Sequence, residues 1–124
     1  MNLEGKKILL VEDDPDQIEM YVLEAELKGL EILNAKNESE ALELAKQEQP
    51  DLILLDMLLG EDYGMDVLKK LKSNDKTKNI KVLFLTNFKK KNLIEEAKEA
   101  GAEELILKAD YVPSQVIEKI EKYL

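Results

Sequence analysis

The 124-residue sequence contains no cysteine, histidine, arginine or tryptophan. Without cysteine there is no disulfide bond, no thiolate metal site and no cysteine nucleophile. Without histidine and arginine, general-base catalysis by imidazole and bidentate guanidinium clamps are also excluded. Any catalytic or binding chemistry must therefore use the side chains of aspartate, glutamate, lysine, serine, threonine or tyrosine.

Long apolar runs and a basic character are absent as well. No run approaches the roughly 18 apolar residues of a membrane span, and residues 1–7 lack the apolar core of a signal peptide. We therefore expect a cytoplasmic protein with no membrane partner. The formal net charge of −9 argues against nucleic acid as a direct ligand, because phosphate binding requires a basic surface. The length predicts one domain, residues 1–124, large enough to bury its own core.

Strand and helix patterns alternate five times along the chain. The predicted strands are residues 7–11, 30–35, 52–56, 82–85 and 105–107; all are apolar on both faces except 30–35, which alternates as an edge strand does. Helical spacing of apolar residues between and after these runs, with start signals at Pro15, Asn37 and Pro113, indicates five helices. The pattern predicts a doubly wound, flavodoxin-like α/β fold with five parallel strands in the order 2-1-3-4-5.

Polar residues follow the buried strands. Asp13 and Asp14 come after the first strand, Asp56 ends the third, and Thr86 and Lys108 follow the last two. Taken singly, each has an ordinary explanation as a helix cap or a solvated charge. Taken together, they meet at one edge of a parallel sheet, where three carboxylates repel one another unless a cation is bound.

The ligands at this edge are all oxygen atoms, which favours a hard cation. A few carboxylates, with room for backbone carbonyls and water, favour Mg²⁺ over Ca²⁺ or zinc. A metal ion among carboxylates, faced by a lysine and a hydroxyl, is what phosphoryl transfer requires. The metal ion and the lysine ammonium neutralise charge on the phosphoryl oxygens, and a carboxylate serves as the nucleophile. The residues therefore indicate an aspartyl-phosphate site.

With these motifs, residues 7–124 resemble a response-regulator receiver domain, the fold of the single-domain chemotaxis regulators. The resemblance implies that Asp56 is the phosphoacceptor. It also implies that Asp13 and Asp14 form the acidic pair of the Mg²⁺ site, with Asp14 as the direct ligand. Asp56 and the main-chain carbonyl of Leu58 complete the implied metal ligands.

The same resemblance assigns the remaining site residues. Thr86 resembles the switch hydroxyl that moves towards the phosphoryl group, and Lys108 resembles the lysine that pairs with it. Leu58 and Phe88 occupy the positions that control access of the hydrolytic water, and Asn87 narrows that access. A domain of this kind catalyses its own phosphorylation and dephosphorylation but acts mainly as a signalling switch. Its implied partners are a histidine kinase or phosphotransfer protein, which supplies a phosphohistidine, and a downstream protein target.

One departure from the family pattern leads to a structural prediction. Ala109 stands where the family usually has a proline, whose bond to the preceding lysine is cis. A cis Lys108–Ala109 bond would cost roughly 2.5–4 kcal/mol. We therefore predict a trans bond, with residues 110–112 rerouting the chain and the flexible Lys108 stem still bringing its ammonium close to Asp56.

Other classes of protein share parts of this pattern. A haloacid-dehalogenase-type phosphatase also uses an aspartate nucleophile with Mg²⁺, but places it after the first strand and leaves Asp56 and Lys108 unexplained. A flavodoxin has the same architecture, but the carboxylates after the first strand would repel the FMN phosphate. A Walker-type ATPase needs a glycine-rich GK[ST] loop that this sequence lacks. The alternative that stays open is a protein-interaction module of the same fold that no longer cycles phosphate.

Overall fold

The computed structural model describes residues 3–87 and 91–124 and contains a central sheet of five parallel strands. In chain order the strands are β1 (Lys7–Val11), β2 (Glu31–Ala35), β3 (Leu52–Asp56), β4 (Leu58–Leu59), β5 (Asp62–Tyr63), β6 (Lys81–Thr86) and β7 (Glu104–Leu107). The sheet has the order β2-β1-β3-β6-β7, and β4 pairs with β5 in a separate antiparallel hairpin. Counted within the main sheet alone, this is the order 2-1-3-4-5, so the fold prediction is confirmed.

Three of the five helices begin at, or directly after, the start signals in the sequence. They are α1 (Pro15–Leu27), α2 (Glu38–Glu48), α3 (Gly64–Lys72), α4 (Lys91–Glu99) and α5 (Pro113–Ile120). Asn37 caps α2, because its side-chain oxygen accepts the N–H of Glu40 at 2.9 Å. Gly29, just beyond α1, has a φ of +78°, the left-handed conformation in which glycine commonly ends a helix. In the described part of the chain, no helix has the length and apolarity needed to cross a bilayer.

The core consists of two apolar layers, one on each face of the sheet. Helices α2, α3 and α4 cover one face, where Leu9 and Ile53 are fully buried. Helices α1 and α5 cover the other face, where Ile8 and Leu54 are fully buried. Adjacent strand residues point to opposite faces, and both faces are covered, so the central strands are apolar along their whole length. This double cover leaves only the ends of the strands for polar side chains.

The hairpin of β4 and β5 lies directly after β3 and was not predicted from the sequence. Two-residue strands are too short for a periodic pattern, and the sequence predicts only a loop marked by Gly60 and Gly64. Gly60 has a φ of +58° at the tight turn between the two strands. The hairpin is held through both of its strands: Leu59 of β4 is buried, and the carboxylate of Asp62 in β5 accepts the N–H of Glu38 at 2.9 Å. The segment that follows Asp56 is therefore anchored to α2.

Gly64 begins α3 at a place where a side chain does not fit. Its N–H donates to the carbonyl of Met57 at 2.6 Å. A Cβ added to Gly64 would collide with the carbonyl oxygen of Asp56 and come within 2.8 Å of the Met57 Cα. Both of these neighbours are backbone, so neither can move aside easily. Glycine at this position therefore lets α3 start against the end of β3.

We predict that Gly64→Ala lowers the free energy of unfolding by about 3 kcal/mol, because it overpacks a contact between backbones. Urea denaturation measures the loss. Gly60→Ala is the matched control: its added Cβ meets only Asp13 Oδ2, at 3.6 Å, and its positive φ costs roughly 1–2 kcal/mol. If Gly64→Ala were no more destabilising than Gly60→Ala, the steric explanation would be wrong.

Candidate functional site

Three carboxylates meet where β1 and β3 end. Glu12, Asp13 and Asp56 each contribute one oxygen, and these atoms all lie within 4.8 Å of one another. Glu12 is the most deeply buried, with 1% of its surface exposed, and its N–H continues the pairing of β1 with β2 by donating to the Ala35 carbonyl at 2.9 Å. Among residues 3–87 and 91–124, this is the group of carboxylates arranged to hold a metal ion.

Asp14, predicted as the direct metal ligand, lies outside this group. Its carboxylate instead caps α1, because Oδ1 accepts the N–H of Asp16 at 3.0 Å. Glu12 thus joins Asp13 and Asp56 in the group of carboxylates in place of the predicted Asp14, although Asp14 lines the same pocket. The missed signal was Pro15: proline in the first helical position makes the residue before it the N-cap.

Lys108 extends its side chain into the group of carboxylates. Its ammonium donates to Asp56 Oδ2 at 2.9 Å, to Gln17 Oε1 at 2.8 Å and to Glu12 Oε2 at 3.2 Å. All three of its donors are therefore used, and only 11% of the side chain is exposed. Every peptide bond in the described residues is trans, and Lys108–Asp110 form a 3-10 turn. The prediction of a trans Lys108–Ala109 bond with the ammonium close to Asp56 is confirmed.

Burial raises the pKa of Glu12 from its ordinary value of 4.5 to about 8. A hydrogen bond with Asp56 and the negative charge of Asp56 raise this pKa further, and Lys108 opposes the increase. The same surroundings raise the pKa of Tyr21 to about 12, chiefly through burial and then through the charges of Glu12 and Asp56. At neutral pH and without a cation, Glu12 therefore holds a proton beside the Asp56 carboxylate.

The other predicted residues surround the same pocket. A cavity of about 240 Å³ is lined by Glu12, Asp13, Asp14, Gln17, Asp56, Leu58, Thr86, Asn87 and Lys108. Thr86 is buried at the end of β6, and the N–H of Leu58 donates to Asp56 Oδ1 at 3.5 Å. The Leu58 side chain is half-exposed at the mouth. Phe88 lies outside the described residues, so its role stays a prediction from the sequence.

Comparisons with known proteins agree with this fold and show the family. The family model of the response regulator receiver domain matches residues 8–121. The polar-differentiation response regulator DivK of Brucella anthropi is 37% identical over 119 residues, which are 96% of this chain and 96% of DivK. The chain therefore belongs to the response regulator receiver domain family.

Solved structures of this family share the fold. The chemotaxis protein CheY4 of Vibrio cholerae gives a TM-score of 0.88 at 24% identity, over 96% of this chain and 98% of that one. A response regulator solved in its Mn²⁺-bound form gives a TM-score of 0.82 at 25% identity, over 95% of this chain and 93% of that one. The similarity to CheY4 shows a shared fold alone.

The three clustered carboxylates, those of Glu12, Asp13 and Asp56, fit a hard divalent cation. Their oxygen atoms are close enough to share one ion, and water can reach them through the open pocket. The proton on Glu12 indicates the same demand for positive charge, since a buried carboxyl next to another carboxylate cannot stay ionised without a compensating cation. A bound cation would displace that proton.

We predict that the free energy of unfolding of the metal-free protein falls as pH rises from about 4.5 to about 8. Between these two pKa values of Glu12, the folded state holds a proton that the unfolded state has lost. Each pH unit in this window therefore favours unfolding, by at most about 1.4 kcal/mol for one proton. Urea denaturation in the presence of a chelator at several pH values measures the slope.

Glu12→Gln should show a flatter dependence, because glutamine has nearly the same size and cannot titrate. Replacing the exposed Glu19 of α1 by glutamine serves as the control and should keep the wild-type slope. A wild-type slope in Glu12→Gln would show that Glu12 does not hold the proton.

Proposed function

We propose that this protein is a phosphoacceptor of two-component signalling, in which Asp56 takes a phosphoryl group from a phosphohistidine in a Mg²⁺-dependent reaction. The observation that carries the proposal is the surroundings of Asp56. Its carboxylate lies 2.9 Å from the Lys108 ammonium and shares a cation-sized space with Glu12 and Asp13. A carboxylate with a fixed ammonium and a group of hard-cation ligands beside it is suited to phosphoryl transfer.

In this reaction a carboxylate oxygen of Asp56 attacks the phosphorus atom of the donor. The new O–P bond forms as the N–P bond breaks, and the leaving imidazole nitrogen keeps the electron pair and takes up a proton. Lys108 would offset negative charge on the phosphoryl oxygens, and the Thr86 hydroxyl would donate a hydrogen bond to one of them. Bound Mg²⁺ would add further positive charge, held by Glu12, Asp13, Asp56 and the Leu58 main-chain carbonyl.

The partners that go with this proposal are a histidine kinase or phosphotransfer protein as donor and a downstream protein that distinguishes the phosphorylated form. A cytoplasmic location is part of the same proposal. Leu58 at the pocket mouth and Phe88 would limit the entry of hydrolytic water, since an apolar side chain cannot orient a water molecule. Asn87 would narrow the access to the phosphoryl group. The resulting aspartyl phosphate would decay slowly.

We predict that the wild-type protein takes up one phosphoryl group from acetyl phosphate in the presence of Mg²⁺, and that Asp56→Asn takes up none because the amide is not a nucleophile. Intact-protein mass spectrometry measures the uptake. Asp51→Asn is the matched control, because Asp51 stands just before the opposite end of β3 and accepts the N–H of Lys7. If the wild type takes up no phosphate, the chain is a non-cycling interaction module of the same fold.

We further predict that Mg²⁺ raises the melting temperature of the wild-type protein. A ligand that binds only the folded state stabilises it by about 2.7 kcal/mol at a hundredfold excess over its dissociation constant. Asp13→Asn should lose this stabilisation, because it removes one of the three carboxylates that would bind the metal ion.

Asp14→Asn tests the corrected acidic pair. It should keep the Mg²⁺-dependent shift, because Asp14 caps α1, and asparagine is an equally good N-cap. The measurement is thermal unfolding of the wild type and of both variants with and without Mg²⁺. A shift that disappears in Asp14→Asn and persists in Asp13→Asn would restore Asp14 as the ligand.

A further inference from the structure

Gln17 makes the shortest of the three hydrogen bonds to the Lys108 ammonium. It is the third residue of α1, and its side-chain oxygen accepts from Lys108 Nζ at 2.8 Å. The other two acceptors, on Glu12 and Asp56, belong to the cluster of three carboxylates that could hold a metal ion. Among the described residues, Gln17 is thus the hydrogen-bond partner of Lys108 that lies outside the group of three carboxylates.

The Gln17 amide is oriented by contacts at both ends. Its Nε2 donates to Asp14 Oδ2 at 3.5 Å, while its Oε1 accepts from Lys108. A carboxylate can only accept and an ammonium can only donate, so one orientation of the amide satisfies both partners. Asp14 is itself held by the N–H of Asp16. Polar contacts therefore run without a break from the N-cap of α1 to Lys108.

Lys108 needs such a contact because open space lies beside it. A second cavity, of about 280 Å³, is lined by Gln17 and Lys108 together with Met20, Tyr111 and Pro113 among others. The Lys108 stem has four flexible carbons. Without an acceptor at the boundary between the two cavities, the ammonium has room to turn away from Asp56.

We propose that Gln17 is a positioning residue, whose side-chain oxygen holds the Lys108 ammonium at Asp56 for phosphoryl transfer. The proposal rests on the function proposed above for Asp56. It assigns to α1 the task of aiming this lysine, which in this chain is followed by Ala109 and a trans bond. Gln17 acts only through Lys108 and touches neither the nucleophile nor the phosphoryl group.

The first readout is the initial rate of Asp56 phosphorylation by acetyl phosphate in Mg²⁺. Gln17→Leu keeps the approximate size of the side chain and removes the acceptor, so the rate should fall about tenfold, as for the loss of a hydrogen bond to a charged group. Gln17→Glu keeps an oxygen acceptor for Lys108 but loses the donation to Asp14, so it should restore the rate in part, to above that of Gln17→Leu. Met20→Leu, one turn along the same cavity wall, is the matched control and should keep the wild-type rate.

The second readout requires no phosphoryl transfer. In the ¹H–¹⁵N spectrum of lysine ammonium groups, three hydrogen bonds slow hydrogen exchange and make the Lys108 signal observable, and Lys108→Gln assigns it. Gln17→Leu should lose this signal by faster exchange, and Gln17→Glu should regain it. The proposal stands if both readouts fall in Gln17→Leu and return in Gln17→Glu, and any other pattern overturns it. If the wild type takes up no phosphate, the function proposed for Asp56 fails and the ammonium signal alone decides the role of Gln17.

Discussion

The contact between the Lys108 ammonium and the carboxylates of Glu12 and Asp56 crosses the whole sequence, from the end of β1 to the end of β7. The ion pair of Lys108 with Asp56 is largely shielded from water, and losing one partner of such a pair costs about 3–5 kcal/mol. One ammonium cannot neutralise three carboxylates, and burial together with the neighbouring Asp56 raises the pKa of Glu12. The remaining demand for positive charge makes the site receptive to a divalent cation.

The fold enforces this crowding. Parallel strands that are covered on both faces can place polar groups only at their ends, so β1, β3, β6 and β7 deliver their terminal side chains to one edge. The hairpin after β3 is held by the hydrogen bond that Asp62 accepts from Glu38 at the start of α2. The start of α3 lies close against Asp56 because Gly64 has no side chain. Asp56 thus stands on rigid elements, as the phosphoryl transfer proposed for it requires.

Membership in the response regulator receiver domain family places these features in a signalling class, while the details belong to this chain. Lys108 is followed by Ala109 in a trans bond, and Gln17 of α1 supplies an acceptor to the ammonium in addition to the carboxylates. The aim of a flexible lysine can be set by the backbone that carries it or by the partners at its tip. In this protein three partners at the tip engage every donor of the ammonium.

The residue pattern was sufficient to identify the five sheet strands, the helix boundaries, and Asp56 and Lys108 as neighbours, because these depend on apolar runs, capping residues and the geometry of a parallel sheet. Only the tertiary structure decided which of three consecutive acids enters the site: Glu12 continues the β1 pairing, whereas Asp14 is turned to the N-terminus of α1. It alone also revealed the hairpin and the contact of Gln17 with Lys108. The physical reason is that local patterns specify where an element begins, but the direction of a side chain at a strand–helix junction depends on how the two elements pack.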